Sequence, residues 1–168
     1  MKISRPAAVL TAAILLAAFL TGCVTINPPA DTERVDFDAV SITGEHIAMK
    51  TLSDKKVVMI NFFETWCSPC MGELPDIERL YEKYAGDGFV VIGVYSSSGE
   101  ADVKAAAERL GITYPIIPVT DSLKSHQTQY VPTTIFVSGT GELLSGSPFV
   151  GAKSEAGWEK LIKDYLGK

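Results

Sequence analysis

Cysteine is scarce, at 3 in 168 residues. Three thiols cannot staple a small secreted scaffold, so a packed apolar core must hold the fold. Basic charge is not in excess either: 15 Lys and Arg stand against 20 Asp and Glu, for a formal net charge of −5. That balance gives no footing for nucleic acid, nor for adhesion to anionic lipid by charge alone. Beyond the N-terminal 35 residues there is no internal repeat and no low-complexity tract. What is present is 46% apolar, a globular proportion too rich in core formers for disorder.

No acidic residue precedes Asp31, and Lys2 and Arg5 give the N-terminus a short positive region. Residues 7–20 then carry no charge and are interrupted only by Thr11. At about 1.5 Å per residue this run spans about 21 Å, short of the roughly 30 Å hydrocarbon core. A secretory leader fits it better than a membrane-spanning helix. Leu20-Thr21-Gly22-Cys23 resembles a bacterial lipobox, which implies cleavage after Gly22 and lipidation of Cys23. Two or more acyl chains anchor a protein stably where one is marginal. The expected organisation is a signal peptide over 1–22, a lipidated Cys23 with a tether over 23–35, and one domain over 36–168. The expected location is the cell envelope, facing the periplasm. Val24, which is not aspartate, leans towards the outer membrane, with the inner membrane left open.

Within the domain, strand and helix patterns alternate. The spacing predicts a short strand pair over 36–49 with its turn at Thr43-Gly44-Glu45. A fully covered strand is expected over 57–63, broken only by Asn61. A helix follows over 68–85, where Leu74, Ile77, Tyr81 and Tyr84 recur at helical steps. Further along, the pattern gives a strand over 89–95, a helix over 100–110 stopped by Gly111, a short strand over 114–119 and a short helix over 123–130. A hairpin of 133–137 with 142–144 and a last helix over 154–166 complete the chain. Strand–helix–strand followed by hairpin and helix predicts an α/β domain, a central mixed sheet with helices on both faces.

The chemistry concentrates at Trp66-Cys67-Ser68-Pro69-Cys70, where an apolar strand meets a helix. Cys67 falls at the helix N-terminus, where unpaired N–H groups and the helix dipole favour a thiolate. Cys70 lies one turn further in, within reach of a disulfide and less exposed. Cys67 is therefore the attacking thiol and Cys70 the resolving one. A purely structural disulfide does not require this placement. Zinc lacks further ligands, since the third cysteine is Cys23 and neither His46 nor His126 sits in a ligand motif. Covalent haem requires a histidine where Met71 stands. No cofactor and no metal are implied.

Residues 61–70, Asn-Phe-Phe-Glu-Thr-Trp-Cys-Ser-Pro-Cys, with Glu73-Leu74-Pro75 and Val131-Pro132-Thr133-Thr134, resemble the TlpA/ResA branch of the thioredoxin superfamily in its lipoprotein form. Gly141 and Gly151 also fall where that family carries glycine. The resemblance covers about residues 36–168 and implies a thioredoxin-like fold. It also implies extracytoplasmic thiol–disulfide exchange, commonly reductive, as in cytochrome c maturation. Pro132 matches the cis-proline beside the dithiol, with Trp66 and the Val131 backbone as substrate contacts, and Pro75 matches a structural helix kink. Glu73 matches an acidic position that affects the proton chemistry of the dithiol; the alternative is a solvated first-turn glutamate. Asn61 replaces the buried aspartate of ordinary thioredoxins. Glu64 departs from the small residue common in the family and reads as a surface charge or an acidic rim. Trp158 reads as core, and His46 and His126 as solvated or structural.

The resulting expectation is a membrane-anchored protein-disulfide reductase. Its partners are protein thiols and disulfides and a membrane thiol reductant, and its state is monomeric. Two other readings stand beside it: a peroxide-reducing redoxin, and a copper-binding chaperone on the same fold.

Overall fold

A computed structural model describes residues 34–167. The leader, Cys23 and most of the tether lie outside the described residues. Two short strands, β1 (Asp38–Val40) and β2 (His46–Ala48), pair antiparallel through the predicted turn. Then come β3 (Val57–Phe62), α1 (Ser68–Tyr84), β4 (Phe89–Tyr95), α2 (Glu100–Leu110), β5 (Ile116–Pro118), α3 (Asp121–Lys124), β6 (Thr133–Val137), β7 (Phe149–Val150) and α4 (Glu155–Leu166).

The main sheet has the order β5-β4-β3-β6-β7. β3 lies at its centre, parallel to β4 and antiparallel to β6, so the sheet is mixed. Every residue of β3 is buried because both faces are covered. Val57 and Met59 join a cluster with Leu74 and Ile77 of α1, Val103 of α2, and Trp158 and Ile162 of α4. Val58, Ile60 and Phe62 point the other way, against Phe37, Ile47, Met49, Leu52 and, on α3, Leu123. Period-two alternation thus feeds two cores from one continuous apolar run.

Two expectations need correction. The short helix is not 123–130 but Asp121–Lys124, capped by Thr120 Oγ1, which accepts from the Leu123 N–H. His126 therefore lies past the helix, not on its face. Residues 142–144 do not form a full hairpin strand: Leu143 makes an isolated bridge to Val137, while Glu142 bridges to Arg34. The partner of β6 at its other end is β7, with Thr133 opposite Val150 and Thr134 opposite Phe149. Gly141 explains the detour. At φ +84° it passes so close to the Val35 carbonyl that a Cβ would sit 2.2 Å from that oxygen, and the chain is drawn towards the N-terminal segment.

Candidate active site

Cys67 and Cys70 sit where β3 hands over to α1, and the two sulfurs are joined as a disulfide with Cα atoms 5.2 Å apart. Cys67 is the N-cap of α1, and its sulfur accepts from the Cys70 N–H at 3.2 Å. Pro69 in the first turn gives up an N–H that the helix leaves unpaired in any case. Cys67 is 5% exposed and Cys70 is 0% exposed, so the predicted order of accessibility stands, but the oxidised Cys67 is largely covered. The Val131 carbonyl oxygen lies 3.6 Å from Cys67 Sγ, and the Val131–Pro132 bond is cis. Next in sequence to Cys67 and to Val131, Trp66 is 69% exposed and Tyr130 is 59% exposed.

Two glutamates flank the pair, and the structure treats them differently from the sequence. Glu73, three residues after Cys70, is not a solvated helix residue: it is 2% exposed. Its Oε1 accepts from Asn61 Nδ2 at 3.1 Å, and its Oε2 accepts from Trp158 Nε1 at 3.0 Å and the Lys153 N–H at 3.1 Å. Burial raises its pKa above the ordinary 4.5, against the pull of those three donors. Asn61 Nδ2 also donates to Thr134 Oγ1, which ties β3, α1 and β6 together behind the dithiol.

Glu64 is neither a surface charge nor an acidic rim. It is 2% exposed, and its carboxylate accepts from the N–H groups of Ser96, Ser97 and Ser98 and from the hydroxyls of Ser96 and Ser98. Burial opposes its charge, yet the Ser96 and Ser98 hydrogen bonds outweigh that cost and hold the pKa at about 2. The serines of this loop and Lys153 are site neighbours that sequence reasoning missed, while Thr134 lies in the Val131-Pro132-Thr133-Thr134 stretch already singled out. The one available signal was the run Ser96-Ser97-Ser98-Gly99 directly after a buried strand.

The remaining expectations divide simply. Pro75 lies inside α1, Trp158 is fully buried, and His46 lies in β2 beside Asp38. Among the described residues, no group of three or more His, Cys, Asp or Glu side chains is arranged to hold a metal ion. Also among them, no helix is long and apolar enough to cross a membrane.

Comparison with known proteins agrees with this geometry. Residues 31–142 match the model of the AhpC/TSA family. Thiol-disulfide oxidoreductase ResA of Halalkalibacterium halodurans is 31% identical over 117 residues, which is 68% of this chain and 66% of that relative. Thioredoxin-like protein YneN of Bacillus subtilis is 32% identical over 110 residues, 63% of this chain and 64% of the relative. The chain thus spans just under two thirds of the length of these curated relatives. A thioredoxin-family thiol:disulfide interchange protein from Chlorobium tepidum superposes with a TM-score of 0.73 at 28% identity, covering 80% of this chain and 95% of that one. The chain therefore belongs to the AhpC/TSA family and carries its Cys67–Cys70 pair on a thioredoxin-like fold.

Proposed function

We propose that this protein is an extracytoplasmic thiol–disulfide oxidoreductase that reduces protein disulfides through Cys67 and Cys70. The observation that carries the reading is the disulfide at the N-terminus of α1, its outer sulfur 3.6 Å from the Val131 carbonyl at an edge flanked by exposed Trp66. In the reduced protein, the Cys67 thiolate attacks one sulfur of the substrate disulfide. A Cys67–substrate disulfide forms, and the departing substrate thiolate takes a proton from solvent. Cys70 loses its proton and attacks Cys67 Sγ, which closes the Cys67–Cys70 disulfide and releases the second substrate thiol. Two electrons pass to the substrate, and a membrane thiol reductant restores the pair.

The Cys70 N–H and the helix dipole favour the thiolate at Cys67. The buried Glu73 opposes thiolate charge and tunes the pair. Pro132 and Val131 present backbone to the substrate, with Trp66 as an apolar contact. Cys23 carries the lipid, residues 24–35 serve as tether, and the domain works as a monomer facing the periplasm, in a role of the cytochrome c maturation type. The relatives named ResA support the activity, and the leader pattern supports the location.

The test is exchange with a disulfide-bonded protein in defined thiol buffers, which also gives the reduction potential. Cys67→Ser abolishes exchange, and Cys70→Ser accumulates mixed disulfides that the wild type resolves. An active Cys67→Ser protein overturns the mechanism. Tight binding of one copper ion by both thiols, or peroxide consumption outpacing disulfide exchange, replaces it with one of the two alternatives.

A further inference from the structure

The exchange mechanism leaves one buried anion unused. Glu64 lies three residues before Cys67, and both of its oxygens face the 96–98 loop. Oε1 accepts from the Ser96 N–H at 2.9 Å, the Ser97 N–H at 2.9 Å and Ser96 Oγ at 2.6 Å. Oε2 accepts from the Ser98 N–H at 2.7 Å and Ser98 Oγ at 2.6 Å. Consecutive backbone N–H groups converging on one carboxylate form an anion nest, here filled by the chain's own side chain.

An ionised carboxylate has no proton to give, so both serine hydroxyls must donate to it. Their lone pairs are then free to accept from elsewhere, and they do so, while Ser97 is held to the same anion by its backbone N–H and its hydroxyl accepts independently. Ser98 Oγ accepts from the Thr65 N–H at 2.9 Å and from Thr65 Oγ1 at 3.1 Å, and Ser97 Oγ accepts from the Trp66 indole at 3.1 Å. Ser96 Oγ accepts from Gln127 Nε2 at 3.2 Å, on the segment that leads to Tyr130 and Val131. The Glu64 backbone carbonyl also accepts from the Cys67 N–H at 3.1 Å. One anion thus pins the loop whose hydroxyls accept from the Trp66 indole, through Ser97, and from Gln127, through Ser96.

We propose that Glu64 is a positioning residue for protein substrates: by anchoring the backbone of the 96–98 loop, it holds Trp66 and the 127–131 segment at a set separation across Cys67. The proposal rests on the oxidoreductase reading and goes beyond it, because it names what keeps the docking edge in one shape. A protein disulfide that must lie across this edge depends on the separation. A small aromatic disulfide that needs only the sulfur depends on it less.

The experiment compares wild type with Glu64→Gln, Ser97→Ala and Gln127→Ala, using full-length protein, a disulfide-bonded protein and a small aromatic disulfide. Wild type inert with both substrates would sink the oxidoreductase reading and this proposal with it, whereas an active wild type matched by its variants would sink this proposal alone. Glu64→Gln keeps an acceptor for Ser96 and Ser97 but sets an amide NH₂ against the Ser98 N–H. Its kcat/KM with the protein disulfide should fall about tenfold, chiefly through KM, the cost of about one charged hydrogen bond. The loss with the small disulfide should be threefold or less.

Trp66 gives the spectroscopic readout, since the other tryptophan, Trp158, is fully buried and shielded from a collisional quencher. Quencher-sensitive emission should show faster local motion in Glu64→Gln and Ser97→Ala. If Glu64→Gln does not fold, Ser97→Ala and Gln127→Ala carry the test, each raising KM for the protein disulfide about threefold. Wild-type KM and wild-type Trp66 motion in the folded variants would overturn the proposal. So would equal losses with both substrates.

Discussion

Two carboxylates bracket the cysteine pair at equal distance along the chain, Glu64 before Cys67 and Glu73 after Cys70. Both are 2% exposed, yet their acidities move in opposite directions. Glu64 has five donors, three of them backbone N–H groups of one loop. Glu73 has three donors, drawn from β3, α4 and the residue before Ser154. Burial penalises both charges, that of the deeper-set Glu73 more, and the five donors of Glu64 outweigh the penalty where the three of Glu73 do not. The loop side of the dithiol is therefore built around a fixed anion, while the helix side holds a carboxyl able to take up a proton. Surface exposure alone does not separate the two groups.

The comparison breaks most visibly in stability. Glu64→Ala leaves three backbone N–H groups without their acceptor and should cost about 3 kcal/mol at neutral pH in urea unfolding, since each orphaned buried donor costs on the order of 1–3 kcal/mol and some will find water. A loss of less than about 1 kcal/mol would mean that the nest does not need its anion.

Reactivity separates the two sides next. If Glu73 opposes thiolate charge, Glu73→Gln lowers the apparent thiol pKa of the reduced pair by up to about one unit, or about 1.4 kcal/mol of differential interaction. Alkylation rate against pH measures this over the whole curve. Superimposable curves for wild type and Glu73→Gln would remove Glu73 from the proton chemistry.

The pH dependence of stability sharpens the contrast, because the two linkages have opposite sign. The Glu64 pKa falls from 4.5 to about 2 on folding, so its contribution is present above pH 4.5 and is lost as pH falls towards 2. The Glu73 pKa is raised above 4.5, so its contribution is complete below pH 4.5 and is lost as pH rises through the folded value. The stability gap between wild type and Glu64→Gln should thus narrow on acidification. Glu73→Gln should gain on wild type as pH rises from 4.5. Urea midpoints that run parallel to wild type in both variants would contradict the assignment.

The smallest effect expected is the stability change of Glu73→Gln at neutral pH. The amide keeps an acceptor for part of the Asn61, Lys153 and Trp158 set and removes a charge that burial disfavours, so the net change should stay within about 1 kcal/mol. A larger loss would show that Glu73 is held as firmly in its charged form as Glu64.

Much of this architecture is written locally. Residues 89–95 and 100–110 have the limits their patterns predict, and α1 begins at Ser68 because Cys67 and Pro69 suit the first turn of a helix. Ser154 caps α4 by accepting from the Gly157 N–H, again a short-range signal. Where partners are remote, pattern reading failed. The turn Ser138-Gly139-Thr140-Gly141 points to a strand over 142–144, but Glu142 is taken by Arg34, 108 residues away in sequence, only Leu143 bridges back to Val137, and β7 pairs with the other end of β6. Glu64 looked like a surface charge because its acceptor role depends on serines 32–34 residues further on.

The sequence by itself determined the alternating elements, the placement of Cys67 and Cys70 at the start of a helix, and the order of their exposure. Each follows from periodicity or from a cap, which involve residues within a turn or two of one another. Only the tertiary structure decided which carboxylate beside the dithiol is made more acidic and which less. That choice is a balance between desolvation and hydrogen-bond donors, and the donors of Glu73 include groups 80 and 85 residues away. Such contacts exist only once the sheet has brought β4, β6 and α4 around the cysteine pair, because desolvation and donor supply are properties of a packed site and not of a residue type.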